Sequence, residues 1–190
     1  MRTSNRSKIL DAAIGVIQRD GVTGVTFDAV AAEAGVTRGG MMYHFRSREA
    51  LIQAIHDHLA QQWEASLLES AGKPAQEATP NERHIAYART CAQSATRAEL
   101  LFMLDALGSP QLSNPWDGVM ARWAAPVPEA LDDADALARF VARLAADGMW
   151  VYEALSNEPL SAQLRERVAR QLTHMIETGS CAPGQGPVSE

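Results

Sequence analysis

The chain has 190 residues, 46% of them hydrophobic and 6% aromatic, with two cysteines and a formal net charge of −6. That length holds one sizeable core or a small domain joined to a larger one. No apolar run approaches the ~20 residues of a membrane span, and Cys91 and Cys181 are too few for a disulfide scaffold, which points to a reducing cytoplasm. The basic opening residues lead into an amphipathic helix rather than an apolar h-region, so no signal peptide is read.

Eight of the nine prolines fall in three clusters, at 74–80, at 110–128 and in the tail. The long alanine-rich windows between them predict an all-α protein rather than a sheet protein. Positions 4–20 carry Ile9, Leu10, Ala13, Ile14, Val16 and Ile17 at helical spacing, and Gly21 ends that helix. A loop over 22–25 leads to Thr26, an N-cap for a short helix over 27–34 with Asp28 in its first turn. Gly35 supplies a left-handed C-cap, and Thr37 caps a third helix over 38–44.

Helix, glycine turn and helix in this order is the helix-turn-helix arrangement, whose second helix enters the DNA major groove. Thr37, Arg38, Tyr43, His44, Arg46 and Arg48 are the phosphate and base-edge groups it would offer. Gly39 and Gly40 each cost roughly 1 kcal/mol against Ala in a helix interior. They let the backbone approach DNA, or form a loose first turn held by Met41 and Phe45; the two readings are compatible. Residues 1–56 hold seven Lys/Arg against five acids, and the rest ten against eighteen. A weakly basic end on an acidic body supports the DNA reading without establishing it.

Ser47 caps a long fourth helix to about residue 70, with Leu51, Ile52, Ile55, Leu59, Trp63, Leu67 and Leu68 as its stripe. A polar fifth helix spans 81–96, and an apolar segment over 97–107 reads as buried. Gly108-Ser-Pro breaks it before an aromatic helix over 115–125. Helices over 132–155 and 160–178 follow, the former opened by Asp132, Asp133 and Asp135. The Gly, Pro and Ser rich tail reads as disordered. The division is therefore 1–46 for the helix-turn-helix domain, 47–178 for a helical body and 179–190 for the tail.

No nucleophile elbow, phosphate loop, dinucleotide fingerprint or zinc motif is present. The five histidines fall into no ligand spacing, and His56 and His58 point to different sides of one helix. The expectation is a non-enzyme with no cofactor and no metal. Cys91 reads as a small core residue.

In the body, Trp63, Phe102, Met103, Asp105, Trp116, Met120, Trp123, Asp147 and Trp150 come from several helices. Singly, each aromatic or Met reads as core. As a set, with carboxylates inside apolar runs, they read as a pocket for a lipophilic, cationic molecule. Leu137, Phe140, Val141, Leu144 and Val151, with Leu164, Val168, Leu172 and Met175, offer a two-fold four-helix interface. Interleaved Ala138, Ala142, Ala145 and Ala146 would allow close approach.

The run GVTRGGMMYHFRSREAL resembles the signature of the TetR family of bacterial transcriptional regulators. The similarity spans about 7–59, with the turn glycine, the Tyr-His-Phe triplet and the next N-cap in register. Met42 stands where the family often has Tyr. MRTS, the run from Tyr43 to Trp63 and LAADG near Asp147 resemble the CgmR-like multidrug-sensing branch. The resemblance implies a cytoplasmic homodimeric repressor that binds a palindromic DNA operator and is released by a small-molecule effector. On it, Thr26, Thr37, Arg38, Gly39, Gly40, Tyr43, His44 and Arg48 face DNA, and Trp63 and Trp116 stack the ligand. Helix four would transmit the shift. The rival is a helix-turn-helix protein with no effector and a packed body.

Overall fold

The computed structural model describes residues 5–93, 96–130, 132–156 and 158–179. Ser4, the expected start of the first helix, Cys181 and positions 180–190 of the expected tail lie outside these described residues. Among the described residues there are nine α-helices and no strand, as the alanine and proline pattern predicts. They are α1 Asn5–Asp20, α2 Phe27–Ala34, α3 Arg38–His44, α4 Arg48–Ala71, α5 Pro80–Gln93, α6 Arg97–Asp105, α7 Pro110–Trp123, α8 Ala134–Leu155 and α9 Ala162–Thr178. A 3-10 turn occupies Val22–Gly24.

The chain divides into two compact units, Met1–Trp63 with Thr96–Gly118, and Glu64–Ala95 with Val119–Glu190. This division falls inside α4 and inside α7 and groups α6 with the first unit. A sequence reading draws one line after residue 46 because it follows chain order, whereas compactness follows packing.

In the first unit, α1 packs on α2, α2 on α3, and α6 against α1 and the 3-10 turn. Ile9, Leu10, Val16, Ile17, Met41 and Leu51 are almost fully buried there, each worth roughly 1.5–3 kcal/mol of burial. Local caps define the short helices. Thr26 Oγ1 accepts the Ala29 N–H at 3.1 Å, and Thr37 Oγ1 accepts the Gly40 N–H at 3.0 Å. Gly35, at φ 65° and ψ 34°, closes α2 by donating its N–H to the Ala31 and Ala32 carbonyls. Ser47 Oγ accepts the Ala50 N–H at 3.2 Å and opens α4. Each such N-cap contributes about 1 kcal/mol.

In the second unit, α5, α8 and α9 pack on one another. Ala138, Ala142 and Ala146 are 0–1% exposed, so they line the interior of their own unit and not the protomer interface expected of them. Leu172 is buried in the same way. Small residues four apart let neighbouring helices approach closely, and that approach is made within the chain.

Several boundaries differ from expectation for physical reasons. The fifth helix stops at Gln93 because Thr96 is the N-cap of α6. Its side chain accepts the Glu99 N–H at 3.3 Å, and its own N–H donates to Glu99 Oε2 at 2.6 Å. Gly108, at φ 82°, separates α6 from α7, and α7 begins at Pro110 rather than at Pro115, since a first helical position needs no N–H. Pro115 then sits inside α7, where it forgoes one backbone bond. Asp133, not Asp132, starts α8, its carboxylate accepting the Ala136 N–H at 2.8 Å. The segment over 97–107 is not buried throughout: Leu104 and Leu107 are exposed.

Candidate nucleic-acid interface and cavities

The capped α2, the left-handed Gly35 and the capped α3 bring the expected nucleic-acid residues onto one stretch. Tyr43 is 86% exposed and Met42 53%, large side chains presented to solvent with no apolar cover. The Tyr43 ring meets the His44 ring edge-on, 5.2 Å between centroids. Phe45 turns inward and carries the Arg6 guanidinium over its face at 5.5 Å. A cavity of about 470 Å³ is lined by Asn5, Ile9, Val36, Thr37, Gly40, Tyr43 and His44, so α1 and α3 share one concave surface.

Arg38 is engaged before any partner arrives. Its Nη1 donates to both carboxylate oxygens of Asp28 at 2.8 Å, an exposed pair worth about 0–1 kcal/mol. The pair ties the first residue of α3 to the first turn of α2. Arg48, expected on phosphate, donates Nε to the Val25 carbonyl at 2.9 Å and Nη2 to the Val22 carbonyl at 3.3 Å. Two of its donors therefore fasten the loop between α1 and α2.

The two glycines of α3 differ. A Cβ on Gly40 would lie 3.3 Å from Thr37 Oγ1, tight against the capping hydroxyl, whereas one on Gly39 would meet the same atom only at 3.9 Å. The fold explains Gly40 in part. Among the described residues nothing requires glycine at 39.

The expected ligand residues are mostly committed to packing. Trp63, Phe102, Trp116, Trp123 and Trp150 are all 7% exposed or less. Trp116 donates its indole N–H to Nδ1 of His56 at 3.0 Å, and Phe102 meets His56 edge-on at 4.5 Å. His56 is fully buried, and burial holds its pKa below the ordinary value against the pull of Asp105, whose carboxylate lies 3.9 Å from Nε2. Trp123 donates to Glu64, which also takes a bidentate pair from Arg122 at 2.7 Å. The bidentate Arg122 partner chiefly keeps the Glu64 carboxyl below its usual value.

Asp147, reserved by the sequence reading for a cationic ligand, has partners inside the chain. It accepts the Tyr87 hydroxyl at 2.6 Å, and Arg143 Nε lies 3.6 Å away. Burial raises its pKa, opposed by Tyr87 and Arg143. Met120 Sδ accepts from the same Tyr87 hydroxyl at 3.6 Å. Met103 is half-buried and Asp105 exposed.

Of the expected ligand residues, Asp105 and Met120 line cavities. Asp105 borders one of about 490 Å³ at the start of α4, with Arg48, Glu49, Gln53, Ser109 and Gln111 among its walls. Met120 borders one of about 300 Å³ in the second unit, beside Arg83, His84 and Arg143. These last residues carried no sequence motif; only the fold brings them together. Among the described residues no three His, Cys, Asp or Glu side chains are placed to hold a metal ion, and no helix is long and apolar enough to cross a membrane.

Comparison with known proteins adds family information. A family model described as bacterial regulatory proteins, tetR family, matches residues 9–55. A second, described as tetracyclin repressor-like, C-terminal domain, matches residues 81–177. The chain is 26% identical over 190 residues to the HTH-type transcriptional regulator BetI of Paraburkholderia xenovorans (strain LB400), covering 93% of this chain and 95% of that one. Among solved structures it is similar to a transcriptional regulator from Rhodococcus sp. Rha1, with a TM-score of 0.69 at 18% identity, over 95% of this chain and 100% of the other. It is also similar to the multidrug binding protein EbrR complexed with malachite green, with a TM-score of 0.57 at 22% identity, over 90% and 98%. At these identities the structural likeness concerns the fold.

Proposed function

The chain belongs to the TetR family of transcriptional regulators, and on that premise we propose that it is a cytoplasmic, homodimeric repressor of a palindromic operator. The observation that carries the DNA reading is the capped α2, Gly35 and α3 unit with Tyr43 almost wholly exposed beside His44. In this reading Arg38 and the Thr37 hydroxyl read base edges, Tyr43 and His44 hold phosphate, and Gly39 and Gly40 let the backbone come close. Thr26 caps the helix that supports them. Arg48 acts by fixing the α1–α2 loop through the Val22 and Val25 carbonyls rather than as a free phosphate ligand.

A dimer is supported by the outer face of α8. Leu137, Leu144 and Val151 are seven apart and exposed, with half-buried Val141 and exposed Leu155 on the same stripe. That spacing is a two-helix seam. A two-fold dimer would set its recognition helices on half-sites about 34–36 Å apart or a multiple. A small effector favouring a different spacing would release the operator, with α4 as the covalent link. Tenfold release needs only ~1.4 kcal/mol of coupling.

A second reading has one observation in its favour. The aromatic residues expected to hold the effector are buried, and Trp116 and Trp123 are hydrogen-bonded besides, as in a regulator whose body is a packed core. The two readings agree on DNA and differ on the ligand. The DNA reading is tested by mobility shift with duplexes selected from a random pool. Arg38→Ala is expected to weaken binding and relax sequence preference, and Tyr43→Ala to weaken all sequences alike. Unaltered binding by both variants overturns the assignment.

A further inference from the structure

The second unit concentrates basic side chains that no motif announces. Arg83 and His84 on α5, Arg122 near the end of α7 and Arg143 on α8 line the cavity of about 300 Å³, and no carboxylate is among its lining residues. A neighbouring cavity of about 480 Å³ shares Arg83, His84 and Pro126 and adds Arg139. Its walls also include two carboxylates, Asp133 and Glu129; Asp133 is committed to capping α8.

The guanidiniums are held in place, mostly by neutral groups. Arg83 Nη1 donates to the Ala75 and Ala78 carbonyls at 3.1 and 2.9 Å. Arg143 Nη1 donates to the Ala125 carbonyl at 2.6 Å, and Arg139 Nη1 to Asn81 Oδ1 at 3.4 Å. Arg122 is neutralised by Glu64, and Arg143 partly by Asp147. Among the described residues, Arg83 and Arg139 form no ion pair with a carboxylate. Carbonyl anchoring fixes a guanidinium without cancelling its charge, so its remaining donors stand preorganised for an oxyanion.

His84 supplies an independent sign. It lines both cavities, is only 8% exposed, and its Nδ1 is buried with no hydrogen-bond partner among the described residues. A buried polar atom without a partner costs about 1–3 kcal/mol, and such atoms in native folds call for an explanation. Burial, then Arg139, Arg83 and Arg143, push the imidazole pKa down to about 4. The local field thus repels a proton and would welcome a negative charge.

We infer that the cavity beside His84 binds a small organic anion, a carboxylate or phosphate carried on an apolar body. Arg83 and Arg143 recognise the oxyanion and His84 hydrogen-bonds it, with Arg139 adding positive charge from the neighbouring cavity. Met120, Ala121, Ala124 and Pro126 receive the apolar body. The volume is at the low end for ligand pockets and suits a single ring or short branched chain. This replaces the cationic ligand expected from Asp147, whose carboxylate is taken by Tyr87 and Arg143. The inference deepens the effector reading and rests on it for its regulatory meaning, while binding itself is measurable without DNA.

The test follows the His84 imidazole by NMR in the full chain, titrated with benzoate, phenyl phosphate, benzyl alcohol and benzylamine. Benzoate or phenyl phosphate is expected to shift the His84 resonances and raise its pKa by about one unit or more. The stronger of the two names the head group. The neutral and cationic analogues are expected to leave His84 unmoved. Arg143→Gln, which spares the carbonyl contacts of Arg83, is expected to weaken the anion about tenfold or more, and Arg83→Gln likewise. The inference is overturned if neither anion moves His84 at roughly 10 mM. It is equally overturned by benzyl alcohol binding as well as benzoate, or by unchanged anion affinity in both arginine variants. Release of operator DNA is measured separately: binding at His84 without release leaves the anion site standing and removes the effector reading.

Discussion

Replacing Trp116 by Phe removes one donor from the interior of the first unit. The Trp116 indole N–H reaches Nδ1 of His56 at 3.0 Å, and His56 is 0% exposed. Because Nδ1 accepts, the proton of the neutral ring resides on Nε2, which faces Asp105 at 3.9 Å and has no hydrogen-bond partner among the described residues. The substitution therefore strips the imidazole of its one buried bond. An acceptor left unsatisfied costs about 1–3 kcal/mol. The smaller ring leaves about 40 Å³ unfilled, worth about 1 kcal/mol at 24 cal/mol per Å³. The expected loss is about 2–4 kcal/mol. His56→Phe should cost a similar amount by orphaning the indole. The double variant removes both partners, so a cycle of urea unfolding curves should give a coupling of about 1–2 kcal/mol. A coupling below about 0.5 kcal/mol would refute the reasoning, because the two groups would then act independently.

Other expectations follow from separate contacts. Gly39→Ala should raise the melting temperature, since Ala favours helix by about 1 kcal/mol and its Cβ has room, yet weaken DNA binding; unchanged DNA affinity would remove the close-approach role. Leu144→Arg on the exposed α8 stripe should give a monomer by sedimentation with helical content retained, and a persisting dimer would exclude that seam. His84 is held at about 4, below its ordinary 6.5, so the unfolded chain takes up the proton first. Stability from this residue is therefore present above pH 6.5 and is lost as pH falls toward 4, by about 3 kcal/mol. His84→Gln should flatten urea midpoints across that window, and an unaltered slope would contradict the buried neutral imidazole.

The parts legible from the chain alone are those decided by neighbours in sequence. Thr26, Gly35, Thr37 and Ser47 act on backbone groups within four residues, so side-chain chemistry names their roles directly. The same logic was available for Thr96 and Glu99, but the helical run before them masked the capping box. Periodicity identifies which face is inward and not what it meets. The spacing of Ala138, Ala142 and Ala146 predicts a protomer interface, yet they are buried within the chain itself. Pairings sixty residues apart, Trp116 with His56 and Tyr87 with Asp147, leave no local trace. The basic cavity is of this kind: Arg83 on α5 and Arg143 on α8 are sixty residues apart in sequence and meet through the packing of those two helices.

The most direct test of the regulator account is selection of duplex DNA by the full-length protein, followed by the mass of the complex with the selected site. The account predicts a palindrome whose half-sites are spaced by whole helical turns, bound by two chains or a multiple of two, with Tyr43→Ala weakening the shift. Recovery of no palindromic sequence, or one chain bound per site, would contradict it.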